Sequence, residues 1–152
     1  MRYFKLNKEV DVVLNWFTSF GYFDDKDNFK TLQNFYQNLR NGGILILEFR
    51  NMDLVKLREK EIEYEEYEDF VEIGDIKVEG NYLVFDQKFY SKKGRDLIFV
   101  EEVVNKVRAY GINELKEIVE KVNFKILEVF ETLTFKNFDK QKSGRLTLIA
   151  RK

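Results

Sequence analysis

The chain has no histidine, no cysteine and no proline. Without the first two, Ser–His and Cys–His nucleophile pairs cannot be assembled from its 152 residues. Zinc sites built on those ligands are excluded as well, and no metal site is expected. A general base must be Asp, Glu, Lys or Tyr, or come from another chain. No turn can rely on proline-fixed geometry. Glycine is sparse: apart from Gly42-Gly43 the residues stand singly, and no Gly-x-Gly-x-Gly occurs. No apolar run approaches the roughly 20 residues a membrane helix needs, and Met1, Arg2, Tyr3, Phe4 and Lys5 do not open a secretory signal. The charges nearly cancel, 26 basic against 27 acidic, so no basic stripe or global field points to nucleic acid or a membrane surface. A cytoplasmic chain is expected. The Lys/Glu bias and missing cysteine suit a reducing cytosol or a thermophile, and Lys/Ile/Asn-rich usage is also what an AT-rich genome produces.

What is present has the rhythm of an α/β domain. Val10, Val12, Val13, Leu14, Trp16 and Phe17 form an apolar run suited to a strand buried on both faces. Asp24 or Asp25 can cap a helix through 28–40, whose Phe29, Leu32, Phe35, Tyr36 and Leu39 share one face. Asn41-Gly42-Gly43 reads as the turn ending that helix, and residues 44–49 as a second buried strand. Strand, helix and strand with short connections predict a right-handed parallel crossover. Residues 52–69 are highly charged, and the acidic run 59–69 reads as a solvated helix face. From Phe70 the pattern alternates, with Gly74 and Gly80-Asn81 as turn signals, a hairpin loop at 91–95 and a long strand at 97–110. That is an antiparallel meander of three or four strands. Asn113 can cap a helix over 114–122, and strands at 126–135 and 146–150 close the chain.

Several segments resemble class I S-adenosylmethionine-dependent methyltransferases. The block from Val10 to Asp25 is similar to that family's fourth strand and following loop. Leu39-Arg40-Asn41-Gly42-Gly43 resembles its Leu-(Arg/Lys)-Pro-Gly-Gly turn, with Asn41 replacing proline. Leu47-Glu48-Phe49-Arg50-Asn51 and Val107-Arg108-Ala109-Tyr110, followed by Glu114-Leu115, match as well, and Met1-Arg2 is similar to the segment entering strand four. The resemblance implies an α/β fold: a truncated, Rossmann-like carboxy-terminal methyltransferase half, with about four sheet strands and flanking helices. It also implies one domain over 1–152, in which 1–51 and 111–152 form the methyltransferase-type half and 52–110 an inserted helix and antiparallel lid.

The same resemblance assigns roles. Asn15, Trp16, Phe17 and Ser19 would lie beside the cofactor; the plainer reading makes Trp16 and Phe17 core and Asn15 a strand cap. Glu48, Arg50 and Tyr110 are the candidate catalytic groups, with a surface ion pair as the alternative for Glu48 and Arg50. Tyr22, Asn51 and Arg108 would contact substrate, although Arg108 and Tyr110 also suit ordinary alternating strand positions. The glycine turn and ribose-binding carboxylate of the family are missing, so S-adenosylmethionine is expected to bind only when a complementary half supplies them. The methyl acceptor, small molecule or protein, stays open. Either the chain works with such a cofactor-binding partner or upstream segment, or it is a degenerate binding or assembly module. A homodimer is also expected, because the strand at 10–17 would become a sheet edge exposing Val12, Val13, Leu14 and Trp16.

Overall fold

The computed structural model describes residues 1–58, 60–132, 134 and 136–152. The chain separates into two compact units, one formed by Met1–Leu54 with Arg108–Lys152 and the other by Val55–Val107.

The first unit is built on a four-stranded sheet of order β1-β2-β8-β7, with β1 (Val10–Asn15), β2 (Leu39–Arg50), β7 (Lys125–Glu131) and β8 (Arg145–Arg151). β1 and β2 run parallel, Val12 beside Ile44 and Asn15 beside Leu47, and β8 pairs antiparallel with both β2 and β7. The expected strand at 10–17 stops at Asn15, because Phe17 and Thr18 turn into left-handed backbone. Phe135, the last residue of the expected strand at 126–135, lies outside the described residues.

α1 (Asp25–Asn38) is capped by Asp24, whose carboxylate accepts the Asp27 N–H at 2.8 Å. It ends before the glycines, with Leu39 as its C-cap. Gly42 and Gly43 are therefore not the helix terminus: β2 bulges between Leu39 and Ile44 while β1 advances from Val10 to Val12. Gly42 takes φ 76, and a Cβ on Gly43 would sit 2.8 Å from the Arg40 carbonyl oxygen, so both places demand glycine. α3 (Ile112–Lys121) starts from Gly111 with no side-chain cap, which puts Asn113 inside the helix rather than before it.

One face of the sheet carries Leu45, Leu47, Phe49, Leu146 and Leu148. These residues share a buried cluster with Leu32 and Phe35 of α1 and Leu115 and Val119 of α3. On the opposite face Ile44, Ile46 and Ile149 are only half-buried. β1 stands at the sheet edge with Val12 and Leu14 exposed, whereas Val13 turns toward the core and Trp16 is half-buried. Residues 1–6 lie along α1: Asn34 Nδ2 donates to the Met1 carbonyl at 2.8 Å, and the Leu6 N–H to Asn38 Oδ1 at 2.8 Å.

The second unit is a sheet of order β3-β4-β5-β6: β3 (Lys60–Glu66), β4 (Phe70–Glu79), β5 (Tyr82–Lys93) and β6 (Asp96–Arg108). α2 (Met52–Arg58) leads into it. The acidic run read as a helix face is the strand β3, alternating Ile62 and Tyr64 with glutamates; Glu59 lies outside the described residues. Gly74 sits within β4 rather than at a turn, while Gly80 (φ 60) makes the β4–β5 hairpin.

Candidate functional site

The chain leaves β1 at Asn15 and β2 at Arg50, at the same end of the parallel pair. Open α/β sheets take ligands at this carboxyl end. The departing loop is tightly wound: Phe17 (φ 53) and Thr18 (φ 55) are both left-handed, a costly conformation for a β-branched threonine. Their neighbours impose it. The Thr18 N–H donates to the Glu48 carbonyl and to its Oε2, each at 3.3 Å. Arg145 Nη2 donates to Thr18 Oγ1 at 3.0 Å and to Glu48 Oε2 at 2.8 Å, while its Nε pairs with Glu48 Oε1. The Ser19 N–H closes the turn on the Trp16 carbonyl at 3.2 Å, and its hydroxyl donates to the same oxygen.

The outcome of this clamp is an outward-facing ring. Phe17 is 77% exposed, with the Arg145 guanidinium 6.0 Å from its centroid and Trp16 edge-on at 6.5 Å. Phe17 is therefore not a core residue. Nor is Glu48 a surface ion pair: it is fully buried and both carboxylate oxygens accept from Arg145. Arg145 went unnoticed in the sequence because it stands 97 positions away. Only the antiparallel register, which sets it opposite Arg50, brings it here.

Asn15 is buried. Its Nδ2 donates to Met1 Sδ at 3.4 Å, and its Oδ1 is a buried acceptor with no partner among the described residues. Asn51, by contrast, is wholly engaged within the chain. Its Nδ2 donates to the Lys140 and Ser143 carbonyls at 2.9 and 2.7 Å, and its Oδ1 accepts the Asp53 N–H at 3.1 Å. It holds the 140–143 loop against the start of α2. Arg50 is half-buried and engaged, and Tyr22 is exposed.

Arg108 and Tyr110 belong to a second cluster, at the start of α1. Arg108 is buried; its Nε donates to Asp25 Oδ1 at 2.9 Å and its Nη2 pairs with Glu114. The guanidinium lies 4.3 Å from the Tyr110 ring centroid. Burial opposes its charge, but Glu114 and then Asp25 outweigh that and hold its pKa above the usual arginine value. The Tyr110 hydroxyl donates to Asp25 Oδ1 at 3.1 Å and accepts from Asn28 Nδ2 at 3.0 Å. Burial pushes this hydroxyl well above the ordinary tyrosine range; the Asn28 amide lowers it and the Asp25 carboxylate raises it. Asp25 and Asn28 were legible only as helix-start residues. A groove of about 630 Å³ beside this cluster is lined by Asp25, Phe29, Tyr110, Glu114, Glu117 and Ile118 among others, and two of its three carboxylates, Asp25 and Glu114, are already matched by Arg108. Phe20 links the two clusters, its ring 5.7 Å from Phe49 and 5.6 Å from Tyr110.

No protein-family model matches this chain, and no curated protein does. Solved structures do. An S-adenosylmethionine-dependent methyltransferase from Clostridium acetobutylicum ATCC 824 superposes with a TM-score of 0.81 at 15% identity, over 99% of this chain and 61% of its own. The CcbJ methyltransferase from Streptomyces caelestis gives 0.81 at 15%, over 99% and 60%. The fold is methyltransferase-like. S-adenosylmethionine-bound CalS10 from Micromonospora echinaspora, an amino pentose methyltransferase involved in calicheamicin biosynthesis, gives 0.71 at 14%, over 99% and 62%. The chain thus spans about three-fifths of the length of each of these methyltransferase structures.

Among the described residues no helix is long and apolar enough to cross a membrane.

Proposed function

We propose that residues 1–152 form the carboxy-terminal half of an S-adenosylmethionine-dependent methyltransferase and act together with a segment carrying the glycine-rich cofactor turn. That segment is upstream sequence or another chain. One observation carries the reading: the superposition takes in nearly all of this chain but only three-fifths of each methyltransferase it matches. The open edge of β1 agrees with it. Parallel strands are normally covered on both sides, yet here Val12 and Leu14 are exposed at the edge of a parallel pair.

The residues present suit one wall of a cofactor site. Asn15 offers a buried acceptor without a partner and Phe17 an exposed ring; Trp16 and Ser19 shape the loop between β1 and α1. The other wall would need backbone approaching the ligand through glycine and an acidic ribose contact, so no chemical step is assigned to this chain alone. In the assembled enzyme Tyr22 and Arg50 would face the acceptor, while Glu48, Asn51, Arg108 and Tyr110 act as positioning groups. The acceptor is a small molecule or protein; CalS10's amino pentose activity makes an amino sugar the first to try.

Calorimetric titration tests this directly. Residues 1–152 alone should give no saturable binding of S-adenosylmethionine, and addition of a chain containing Gly-x-Gly-x-Gly should restore it. Asn15→Ala should then weaken the restored site. Low-micromolar binding at full stoichiometry by the isolated chain, about −8 kcal/mol, would overturn the reading. A non-catalytic binding or assembly module is the second reading. It is favoured by the internal engagement of Glu48, Arg108 and Tyr110, and a complemented protein that binds cofactor but transfers no methyl group would select it.

A further inference from the structure

The two edges of the second sheet differ in kind. β3 sets Glu63, Glu65 and Glu66 around Tyr64, the sort of charge that keeps an edge strand from pairing with another chain. β6 has no such guard over residues 97–100. Leu97, Ile98, Phe99 and Val100 are consecutive, so apolar side chains stand on both faces of the strand, and all four are between 44% and 58% exposed. Tyr90 of β5 meets Phe99 edge-on at 5.8 Å and extends the apolar surface on that face. Charges of opposite sign bracket the run, with Arg95 before it and Glu101 after it, both exposed.

A segment with Arg95 in the turn before it, Asp96 next, four apolar residues and then Glu101 can complement itself when two copies run antiparallel. With the two-fold at Ile98, Leu97 faces the second copy's Phe99 and Arg95 faces its Glu101, and symmetry makes each pair twice. Asp96 then lies opposite Val100. A slip of two residues toward the carboxyl end would set Asp96 against Glu102 and Leu97 against Glu101, which like-charge repulsion and a buried carboxylate disfavour. We propose that β6 is a self-pairing edge, through which two copies of this chain join their four-stranded sheets into one continuous sheet. The occupant is a second copy and needs no cofactor. The β1 edge in the first unit stays available to the complementary segment.

Sedimentation of the full chain at micromolar concentration should report about twice 18.3 kDa. Ile98→Lys should give a monomer with an unchanged far-ultraviolet spectrum. Arg95→Glu, on an exposed position, should raise the dimer dissociation constant about tenfold, and Arg95→Glu combined with Glu101→Arg should restore it. A monomeric wild type would overturn the proposal. So would a dimer that survives Ile98→Lys but is lost on Leu14→Lys, which would place the interface at β1. If Ile98→Lys fails to fold, the charge pair decides: a double variant no better than Arg95→Glu refutes the pairing.

Discussion

The first sheet packs its core strands against helices, whereas the second sheet leaves one whole strand, β6, largely open. Leu45, Leu47, Leu146 and Leu148 meet Leu32, Phe35, Leu115 and Val119, and their exposure is close to nil. In the second sheet Val71, Ile76, Leu83 and Val84 are buried, yet β6 stands open along most of its length. Both sheets have four strands and both are rich in β-branched and aromatic residues. What separates them is what is laid against the strands. An apolar side chain on a strand contributes strongly to stability only where another layer removes it from water. The same chemistry left uncovered is available for association instead.

Paired truncations should expose that difference most strongly. Leu47→Ala should cost about 3 kcal/mol in chemical denaturation, the range for a leucine deleted from a packed core, whereas Val100→Ala at low protein concentration should stay within about 0.5 kcal/mol. Similar costs at the two sites would dissolve the distinction between a covered and an open strand.

Next in size is the clamp at the end of the first sheet. Glu48→Gln removes the charge facing Arg145, and a loss of about 2 kcal/mol is expected, tempered because Arg145 is partly hydrated and can rehydrate. Tryptophan fluorescence should shift as well, since Trp16, the single tryptophan, sits in the loop the clamp holds. A stable variant with an unchanged spectrum would show that Phe17 and Thr18 keep their backbone without Glu48.

Tyr110→Phe loses the hydroxyl's bonds to Asp25 and Asn28, which should cost about 1 kcal/mol. The pH dependence gives it a signature. Burial raises the folded pKa above the ordinary tyrosine value, so the protonated hydroxyl is favoured by the fold. Its contribution is complete below about pH 10 and is lost as the pH rises toward the folded value, while the unfolded chain ionises first. The difference between wild type and Tyr110→Phe should accordingly be flat from neutral pH to pH 9 and shrink above it. A difference that stayed constant above about pH 10 would show that the hydroxyl's ionisation is not linked to folding.

The smallest expected change is at the α1 cap, where Asp24→Ala should cost a little under 1 kcal/mol by loss of the acceptor for the Asp27 N–H. The cap should act on α1 alone, so amide exchange ought to rise in its first turn and not in β3–β6. Faster exchange throughout the second sheet would show that the two sheets unfold together.

Much of this architecture was written into local pattern. The apolar run at Val10, the Asp24 cap, the alternation after Phe70 and the glycines of the hairpins each state a periodicity or a backbone requirement within a few residues. The failures share a cause. Gly42-Gly43 looked like a helix end because a glycine pair serves a cap and a bulge equally, and the partner strand β1 decides between them. The acidic stretch at 60–66 looked helical because its charges mask a two-residue alternation that only pairing with β4 makes visible. The candidate site was legible as a place, the carboxyl ends of β1 and β2, but not as a network.

By itself, then, the sequence determined most of the strands and helices, β3 excepted, where α1 begins, and that neither histidine nor cysteine chemistry is open to the chain. Those properties follow from side-chain type and spacing along a few turns of backbone. The tertiary structure alone decided that Glu48 is neutralised by Arg145, that Arg108 and Tyr110 share Asp25, and that β1 and β6 stand at sheet edges. Ion pairing acts over a few ångströms, and residues 97 positions apart come within that distance only after the strands have aligned.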